Sequence, residues 1–242
     1  MKILTWNILA SEWVKKSYYP GVRQSVLFNR KERFDVICAL IRQYDPDIIM
    51  LQEVMKKEYL NLVSAFEDQY IISGLKKMVW YNNTSAESGN VTLLRRTMFS
   101  SDKINHIPQE YGLYTQCEYK NKACDIFNIH LDDQSNAKRH AQWAHLHSLP
   151  RKSSCANIIA GDFNHPYRKN SKLYCVPGYT VHNLCSTYYV ERKMNIDNIV
   201  TKGMVHPKHS QCVLYPDTTE NGFRKYGSDH LPVFVEVNMI TK

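Results

Sequence analysis

The sequence lacks any apolar run long enough to cross a membrane. Its longest apolar stretches, such as DIIMLQ and NIIAG, have only the length of a β-strand, whereas a membrane-spanning helix needs about 20 apolar residues. Internal repeats, low-complexity runs and linker-like segments are also missing, which excludes repeat and disordered architectures. We therefore expect residues 1–242 to form a single globular domain that does not engage a membrane.

Paired-cysteine motifs are absent as well. The seven cysteines are odd in number and scattered, with no C-x-x-C pair, which is typical of reduced thiols rather than of a disulfide framework. At the N-terminus Asn7 and Glu12 interrupt the apolar residues, and no small-x-small cleavage site follows, so a signal peptide is not expected. These features predict an intracellular protein, cytoplasmic or nuclear, and not a secreted one.

Negative charge is in deficit. The chain has 31 Lys and Arg against 23 Asp and Glu, a formal net charge of +8. A basic balance favours an acidic partner such as nucleic acid or an anionic membrane, and the missing membrane signals leave nucleic acid as the expected partner. The pattern leaves the oligomeric state open, and a monomer is the working expectation.

Strand and helix patterns alternate along the chain. Short apolar runs and apolar–polar alternation predict strands, and apolar residues at helical spacing predict helices. The first helix should stop before Asp45-Pro46, and Ser135 or Asn136 fits the N-cap of the last one. The predicted strands are KILTWNIL, DIIMLQEV, NVTLLRR, CDIFNIHL, NIIAGDFN, NIDNIVTK and HLPVFVEVNM, and the predicted helices are RKERFDVICALIRQY, EYLNLVSAFEDQ and SNAKRHAQWAHLHSL. This order predicts a layered α/β fold.

Polar side chains stand where the apolar runs of six strands end or pause. Unpaired charges are costly to bury, so such residues usually have partners or a metal. α/β enzymes tend to gather a site from the ends of several strands. The residues are Asn7, Glu53, His130, Asp162 with Asn164, Asp197, and Asp229 with His230. We therefore predict one site built from many strand ends.

The motif GDFN places two of these residues close together. Asp162 and Asn164 are two residues apart, and residues two apart on an extended segment point the same way. We expect both to face one spot just beyond a strand end. A turn-forming role is the ordinary structural alternative for Asp162.

The residue types in this set indicate metal-assisted chemistry. Carboxylates from Glu53, Asp162 and Asp229, with the amide oxygens of Asn7 and Asn164, are hard ligands that suit Mg²⁺ or Mn²⁺ rather than Zn²⁺. Each has an ordinary explanation alone, such as Glu53 as an acid at a helix start, but the joint set is harder to explain that way.

The histidines complete the inventory. His130 and His230 could hydrogen-bond a phosphate oxygen or act as acid or base. Asp197 could fix the tautomer of His230 from behind. Together the residues predict metal-assisted hydrolysis of a phosphate ester.

Six motifs in order carry a family resemblance. They are TWN, LQEV, the I-H-L of NIHLDD, GDFN, the I-D-x-I of IDNI, and SDHLP, and the resemblance that they carry covers Thr5 to Val237. This pattern resembles the endonuclease/exonuclease/phosphatase superfamily, the fold of DNase I and the abasic-site endonucleases. The resemblance implies a four-layer αββα sandwich with two mixed β-sheets and helices outside.

The resemblance also implies roles for the metal-side residues. Glu53 would be the main Mg²⁺ ligand, supported by Asn7. Asp229 would help to hold the metal or to orient the neighbouring histidine dyad. Asp162 would orient or deprotonate the attacking water, and Asn164 would contact the water and the scissile phosphate.

The remaining implied roles concern the phosphate and its surroundings. His230 with Asp197 would be the dyad that stabilises charge on the phosphate, and His130 would contact the scissile phosphate. Arg139 and Gln142 match the R-x-x-Q that follows on a helix, where they would give structural support.

The front of the chain narrows the substrate class. NILA, a YYPG-containing loop and NRKERFDVICALIRQYDPDIIMLQEV resemble the deadenylase group, which includes nocturnin-like and 2′-phosphodiesterase members. RNA fits the positive charge and the 16 tyrosines, which could stack on bases. The chain departs from that group after GDFN, where it continues HPYRKN, so a poly(A) preference is left open.

An RNA 3′-exonuclease is thus the leading expectation. Two enzyme alternatives are a DNA repair phosphodiesterase, either an abasic endonuclease or a 5′-tyrosyl-DNA phosphodiesterase, and a lipid or small-molecule phosphatase of sphingomyelinase-like type. A binding protein that has lost catalysis is the non-enzymatic alternative. The intact set of ligand residues argues against it.

Overall fold

Two six-stranded β-sheets form the centre of the computed structural model, which describes residues 1–75, 88–149, 156–167, 177–183, 185–190, 193–211 and 214–239. The strands are β1 (Lys2–Asn7), β2 (Ile48–Met55), β3 (Tyr70–Ile72), β4 (Ser88–Arg95), β5 (Asn105–Gln109), β6 (Gly112–Tyr119), β7 (Lys122–His130), β8 (Ala156–Asp162), β9 (Thr180–Val181), β10 (Asp197–Lys202), β11 (Met204–Gln211) and β12 (Val233–Met239). The helices are α1 (Gln24–Leu27), α2 (Arg30–Tyr44), α3 (Lys56–Phe66), α4 (Asn136–Ser148) and α5 (Thr219–Tyr226), with 3-10 turns at Ser11–Trp13, Lys16–Tyr18 and Ser101–Lys103.

Both sheets are mixed. The first has the strand order β11-β12-β1-β2-β4-β3 and the second β5-β6-β7-β8-β10-β9. Each contains one central parallel pair, β1 with β2 and β7 with β8, and antiparallel neighbours on either side. The predicted two-sheet α/β sandwich is confirmed.

Side-chain alternation explains the four layers. In β1 and β2, Ile3 and Ile48 belong to the apolar cluster between the sheets, whereas their neighbours Leu4 and Ile49 pack with the α2 and α3 side chains outside. In the second sheet, the outer face packs instead on α4, through Trp143 and other side chains. Successive strand residues point to opposite faces, so apolar runs supply both an inner and an outer core.

Helix ends follow local sequence signals. The Asn29 side chain caps α2 by accepting a hydrogen bond from the backbone N–H of Glu32. The helix ends at Asp45, which adopts a left-handed conformation (φ 46°) before Pro46. For α4, where the sequence left two candidates, Ser135 is the N-cap. The predicted boundaries of α2 are confirmed.

A buried polar cluster links the two sheets. The Asn128 side chain on β7 donates to the carbonyls of Leu51 and Val91 on the first sheet, at 3.1 and 3.0 Å. Its oxygen accepts from the Gln52 amide at 2.8 Å, and Asn90 donates to the Asn128 carbonyl at 2.9 Å. Because these side chains are fully buried and both ends of the Asn128 amide are hydrogen-bonded across the interface, the cluster sets the position of one sheet on the other.

The cysteine prediction needs a correction. Cys38, Cys117 and Cys124 are free and buried, but Cys185 is disulfide-bonded. The expectation that all thiols are reduced is therefore wrong, because folding brings Cys185 beside another cysteine in a way that sequence spacing did not reveal. Intracellular location loses that support and stays a prediction. Among the described helices, none combines the length and apolar character needed to cross a membrane.

Candidate active site

The strand directions bring the predicted polar residues to one edge of the sandwich. The parallel strands β1, β2, β7 and β8 run toward this edge, so Asn7, His130 and Asp162 come at strand ends and Glu53 near one. The antiparallel strand β10 starts there, with Asp197 directly paired to Asp162.

Glu53 reaches the site through an irregularity in β2. The pairing of β2 with β4 shifts between Leu51 and Val54, and Glu53 has a left-handed backbone (φ 57°). A regular strand would turn the residue after Gln52 to the helix-covered face. The bulge redirects the side chain instead, and its cost marks a functional position. The apolar alternation of DIIMLQEV gave no sign of it.

A glycine and a turn position the GDFN residues. Gly161 has φ +143°, and a Cβ there would collide with the Ile129 carbonyl oxygen. Strand β8 ends at Asp162, whose Oδ1 accepts the backbone N–H of Asn164 at 2.7 Å, and Asn164 is left-handed (φ 48°). Both residues line one pocket. The expected extended segment is wrong, because this side-chain hydrogen bond folds the chain into a turn.

Asn7 holds two carboxylates with its nitrogen. Its Nδ2 donates to Glu53 Oε1 at 2.9 Å and to Asp162 Oδ2 at 3.1 Å. Its Oδ1 accepts the backbone N–H of Leu9 at 3.0 Å. Asn7 thus links Glu53 and Asp162, and its predicted part in holding a metal ion stays a prediction.

His230 and Asp197 form a buried pair. His230 Nδ1 lies 2.8 Å from Asp197 Oδ2, and His230 Nε2 lies 3.9 Å from Asp162 Oδ2. The Trp6 indole donates to the His230 carbonyl at 2.9 Å, and the Tyr188 ring lies edge-on to the imidazole. Asp197 and Tyr188 thus hold the ring, Trp6 holds the His230 backbone, and Nε2 is directed to the pocket.

Charge on the dyad is stabilised by carboxylates. Burial opposes the imidazolium, but the negative charges of Asp197, Asp229 and Asp162 raise the pKa of His230 well above its ordinary value. Burial lowers the pKa of His130, whose Nε2 lies 3.7 Å from Asp162 Oδ2 and 4.0 Å from Glu53 Oε1. The two histidines therefore differ in charge at neutral pH.

The ionised forms of two acids in the site, Asp162 and Glu53, are unfavourable. Burial, and then the charge of Asp197, raise the pKa of Asp162 to about 6. Burial and the charge of Asp229 raise the pKa of Glu53. Among the described residues, no lysine or arginine pairs with Glu53, Asp162, Asp197 or Asp229. Clustered carboxylates without lysine or arginine partners are what a divalent cation would neutralise.

The donor set fits a hard divalent cation on the Glu53 side. Asp162, Asp197 and His230 place ligand atoms within 4.8 Å of one another, but a protonated His230 bound to Asp197 is a poor ligand. Glu53 and Asp162, bridged by Asn7, offer carboxylate oxygens, which Mg²⁺ or Mn²⁺ prefer.

Asp229 stands slightly behind this cluster. Its Oδ2 accepts the phenol of Tyr19 at 2.9 Å, and Ser228 Oγ donates to the Asn7 carbonyl at 2.7 Å. Tyr19 is buried, and although it lies in the YYPG loop that resembles the deadenylase group, it was not among the predicted site residues. The structure thus adds Tyr19 as a neighbour of the site, across 210 positions of sequence.

Arg139 and Gln142 lie outside the pocket and support a loop beside it. Arg139 Nη1 donates to the Asp132 carbonyl at 2.8 Å, and the Gln142 side chain accepts the backbone N–H of Asp132 at 2.9 Å. The Asp132 carboxylate accepts the backbone N–H of Gln134. This arrangement holds the segment after β7, which carries Asp133 and Gln134 at the pocket wall.

The pocket has a volume of about 420 Å³, which is within the range of small-molecule sites. Glu53, His130, Asp162, Asn164 and His230 form its floor. Its walls include Leu9, Trp13, Lys15, Tyr18 and Tyr19. The sequence pointed to Leu9, Tyr18 and Tyr19 only as parts of the NILA and YYPG segments, and it did not predict any of the five residues at the pocket.

A family model matches nearly the whole chain. The model of the Endonuclease/Exonuclease/phosphatase family matches residues 4–230, which include every predicted site residue. No curated protein is significantly similar to the chain in sequence.

Solved structures share the fold at low identity. ANGEL2, a 2′,3′-cyclic phosphatase, has a TM-score of 0.76 and 16% identity, with 98% of this chain and 94% of that one covered. The human nocturnin catalytic domain has a TM-score of 0.70 and 16% identity, with 99% and 94% covered. A truncated Caenorhabditis elegans TDP2 has a TM-score of 0.66 and 16% identity, with 99% and 97% covered.

Proposed function

The chain belongs to the Endonuclease/Exonuclease/phosphatase family, and we propose that it is a divalent-metal-dependent phosphodiesterase that shortens RNA from its 3′ end. The family generally uses divalent metal ions. One observation carries the proposal. The His230–Asp197 pair faces Asp162 at 3.9 Å in the same pocket as Glu53, which is a complete set for attack by water on a phosphate ester.

Asp162 orients or deprotonates the attacking water. A pKa of about 6 suits a group that accepts a proton near neutral pH. Asn7 fixes the carboxylate from one side, and the Asn164 backbone fixes it from the other. Asn164 also lines the pocket, where it contacts the water or the phosphate.

His230 and His130 act on the phosphate. His230, held protonated by Asp197, directs Nε2 into the pocket and donates to a phosphate oxygen on which charge grows. His130 is neutral, because burial lowers its pKa, and it binds phosphate as a hydrogen-bond partner. Glu53, with Asp229 behind it, would hold Mg²⁺ or Mn²⁺, which polarises the phosphate when bound.

A nucleic-acid substrate, RNA or DNA, is favoured by the charge of the whole chain. A net charge of +8 must coexist with an acidic pocket floor, so the positive charge lies elsewhere on the molecule and is free to attract a polyanion. Lys15 stands at the pocket itself. A monomer in the cytoplasm or nucleus remains part of this proposal.

A second candidate is opening of a terminal 2′,3′-cyclic phosphate on RNA. The observation that favours it is the TM-score of 0.77 to ANGEL2 in complex with adenosine-2′,3′-vanadate. In this reaction water opens a cyclic phosphodiester at the end of a chain. The same water-activating and phosphate-binding residues would serve.

Turnover of defined substrates by the purified protein tests both candidates. The panel is oligo(A) RNA, mixed-sequence RNA, RNA ending in a 2′,3′-cyclic phosphate, abasic duplex DNA and 5′-tyrosyl DNA, each with Mg²⁺ and with EDTA. Asp162→Asn is the blank, and Asp102→Asn, an exposed carboxylate, controls for the substitution.

The outcomes separate the candidates. Stepwise shortening of RNA from the 3′ end, lost with EDTA and with Asp162→Asn, supports the exonuclease. Conversion of the cyclic end alone supports the second candidate. Cleavage of DNA alone contradicts both and favours the repair alternative, and silence on all five substrates turns attention to lipids and small phosphate esters.

A further inference from the structure

One wall of the pocket comes from a single surface segment, residues 9–19. It enters at Leu9, passes through the two 3-10 turns and ends at Tyr19. Trp13, Lys15 and Tyr18 of this segment line the same pocket as the catalytic residues. These three side chains have no part in the chemistry described above, so their presence at the pocket needs another reason.

The exposure of the aromatic side chains is the first indication. Tyr18 is 53% exposed and Trp13 is half-buried, although both carry large apolar rings. Large rings left at the mouth of a polar pocket supply flat contact surfaces. Nucleobases stack on such rings whatever their sequence.

The charge of the segment is the second indication. Lys15 Nζ lies 5.5 Å from the centre of the Tyr18 ring. A positive charge and an aromatic ring therefore lie next to each other at the pocket rim. A phosphodiester chain presents an anion next to each base, and a lysine beside an aromatic ring matches that alternation. An apolar lipid tail would gain nothing from the lysine.

The wall is fixed relative to the catalytic groups. The backbone N–H of Ala10 donates to Glu53 Oε2 at 2.8 Å, and Ser11 Oγ donates to Glu58 at 2.9 Å. At the other end, the Tyr19 phenol donates to Asp229. A segment bonded to site carboxylates at both ends presents its rings at a constant distance from the reacting phosphate.

The loop after β7 offers polar groups for the base edge. Asp133 and Gln134 line the pocket from the loop after β7. That loop is held by the hydrogen bonds that Asp132 receives from the backbone of Gln134 and Ser135. A pocket lined by both rings and polar groups suits a planar ligand with hydrogen-bonding edges.

We propose that Trp13 and Tyr18 form a stacking wall for a nucleobase next to the scissile phosphate, with Lys15 bound to a neighbouring phosphate. This inference rests on the proposed function and specifies its substrate class as a base-bearing nucleic acid. Stacking binds ground state and transition state alike, so it lowers KM and leaves kcat unchanged.

An enzyme–substrate cycle tests the wall. Three oligoribonucleotides are prepared, each with a single abasic residue at one of the three positions nearest the 3′ end. The KM of each is compared with the KM of the intact strand, for the unmodified protein and for Trp13→Ala and Tyr18→Ala. With the unmodified protein, loss of the stacked base is expected to raise KM roughly 5- to 150-fold. With the alanine variants, the intact strand should already show the raised KM, and base removal should add little.

Matched variants keep the test specific. Trp13→Phe and Tyr18→Phe retain a ring and are expected to restore most of the lost affinity. Phe28→Ala removes an aromatic that is 47% exposed and lies outside the pocket, and it should change nothing. Lys15→Ala should weaken binding of intact and abasic strands equally and flatten the salt dependence by about 0.7 in the logarithmic slope.

The failures are distinguishable. If RNA is cleaved but base removal costs the same in the unmodified protein and in the alanine variants, the wall is refuted while the proposed function stands. If no RNA is cleaved, the proposed function is refuted. The stacking wall is then tested separately, by calorimetric measurement of ligand binding. Tighter binding of AMP than of ribose 5-phosphate, lost in Trp13→Ala, then supports it, and equal binding overturns it.

Discussion

Replacing Asp162 with asparagine is expected to abolish hydrolysis and yet to stabilise the metal-free protein at neutral pH. The side chain keeps its shape in this change, but it loses its charge and one of the two oxygens that accept hydrogen bonds from Asn7 and Asn164. Asp162 is 1% exposed and close to Asp197 and Glu53, so its charge is unfavourable in the absence of a cation. Activity and stability should therefore move in opposite directions.

The magnitude follows from the pKa. The pKa of Asp162 rises from an ordinary 3.8 to about 6, chiefly because of burial and then because of Asp197. A group whose pKa is raised by folding favours the folded state below its unfolded pKa, and this contribution is lost as pH rises through the folded pKa. About two pKa units correspond to about 3 kcal/mol, lost between roughly pH 4 and pH 7.

Urea unfolding in EDTA between pH 4 and pH 7.5 measures the effect. The free energies of unfolding of the unmodified protein and Asp162→Asn should agree near pH 4 and diverge to about 3 kcal/mol in favour of the variant by pH 7. Asp102→Asn, an exposed change of the same kind, should show no such divergence. Parallel curves for all three proteins would refute the reasoning, as would a variant that is less stable at pH 7.

Three further predictions concern single contacts. Asp197→Asn removes the acceptor 2.8 Å from His230 Nδ1, and kcat measured with Mg²⁺ should fall by about 10² to 10⁴. Tyr19→Phe removes the phenol proton that Asp229 accepts, and kcat should fall roughly tenfold because a hydrogen bond to a charged group is lost. Asn128→Ala leaves buried carbonyls of the sheet interface unpaired, and urea unfolding should show a loss of about 2–4 kcal/mol.

Matched variants give each contact its control. Tyr44→Phe changes a phenol that stacks on Phe234, away from the pocket, and Asn105→Ala removes an exposed amide. Undiminished turnover in Asp197→Asn would remove the dyad from the mechanism. A stability loss in Asn128→Ala no larger than in Asn105→Ala would show that the sheet interface does not depend on the buried amide.

The order of the core elements was predictable because their signals are local. Helix α2 is bounded by Asn29 and Pro46, two short-range signals, and its predicted limits agree with the structure. The missed β5–β6 hairpin has an edge strand that contains Pro108 and is only half-buried. A proline and a weak apolar pattern hide such strands from periodicity.

Helix α5 was missed because it depends on a distant neighbour. It contains Gly222, a poor helix former, and a Cβ there would collide with the Tyr189 ring. The glycine serves packing between segments 33 positions apart, so the local sequence argues against the helix that the fold requires. Its cap, Thr218, accepts from the backbone N–H of Asn221, a signal too short to outweigh the glycine.

The site divides in the same way between local and long-range causes. The alternation of strands and helices predicts that several strand ends meet at one edge. It does not predict the backbone conformation of three residues beside the pocket. Leu9, Glu53 and Asn164 all have positive φ, 55°, 57° and 48°, a costly state for residues other than glycine.

The hydrogen bonds at these positions show how the strain is maintained. The N–H of Leu9 donates to Asn7, and the N–H of Asn164 donates to Asp162, while Arg33 binds the Leu9 carbonyl at 2.7 Å. The groups that impose the strain include the site residues themselves. The backbone and the catalytic side chains therefore hold each other in place, so we expect the pocket to be formed before substrate arrives rather than by it.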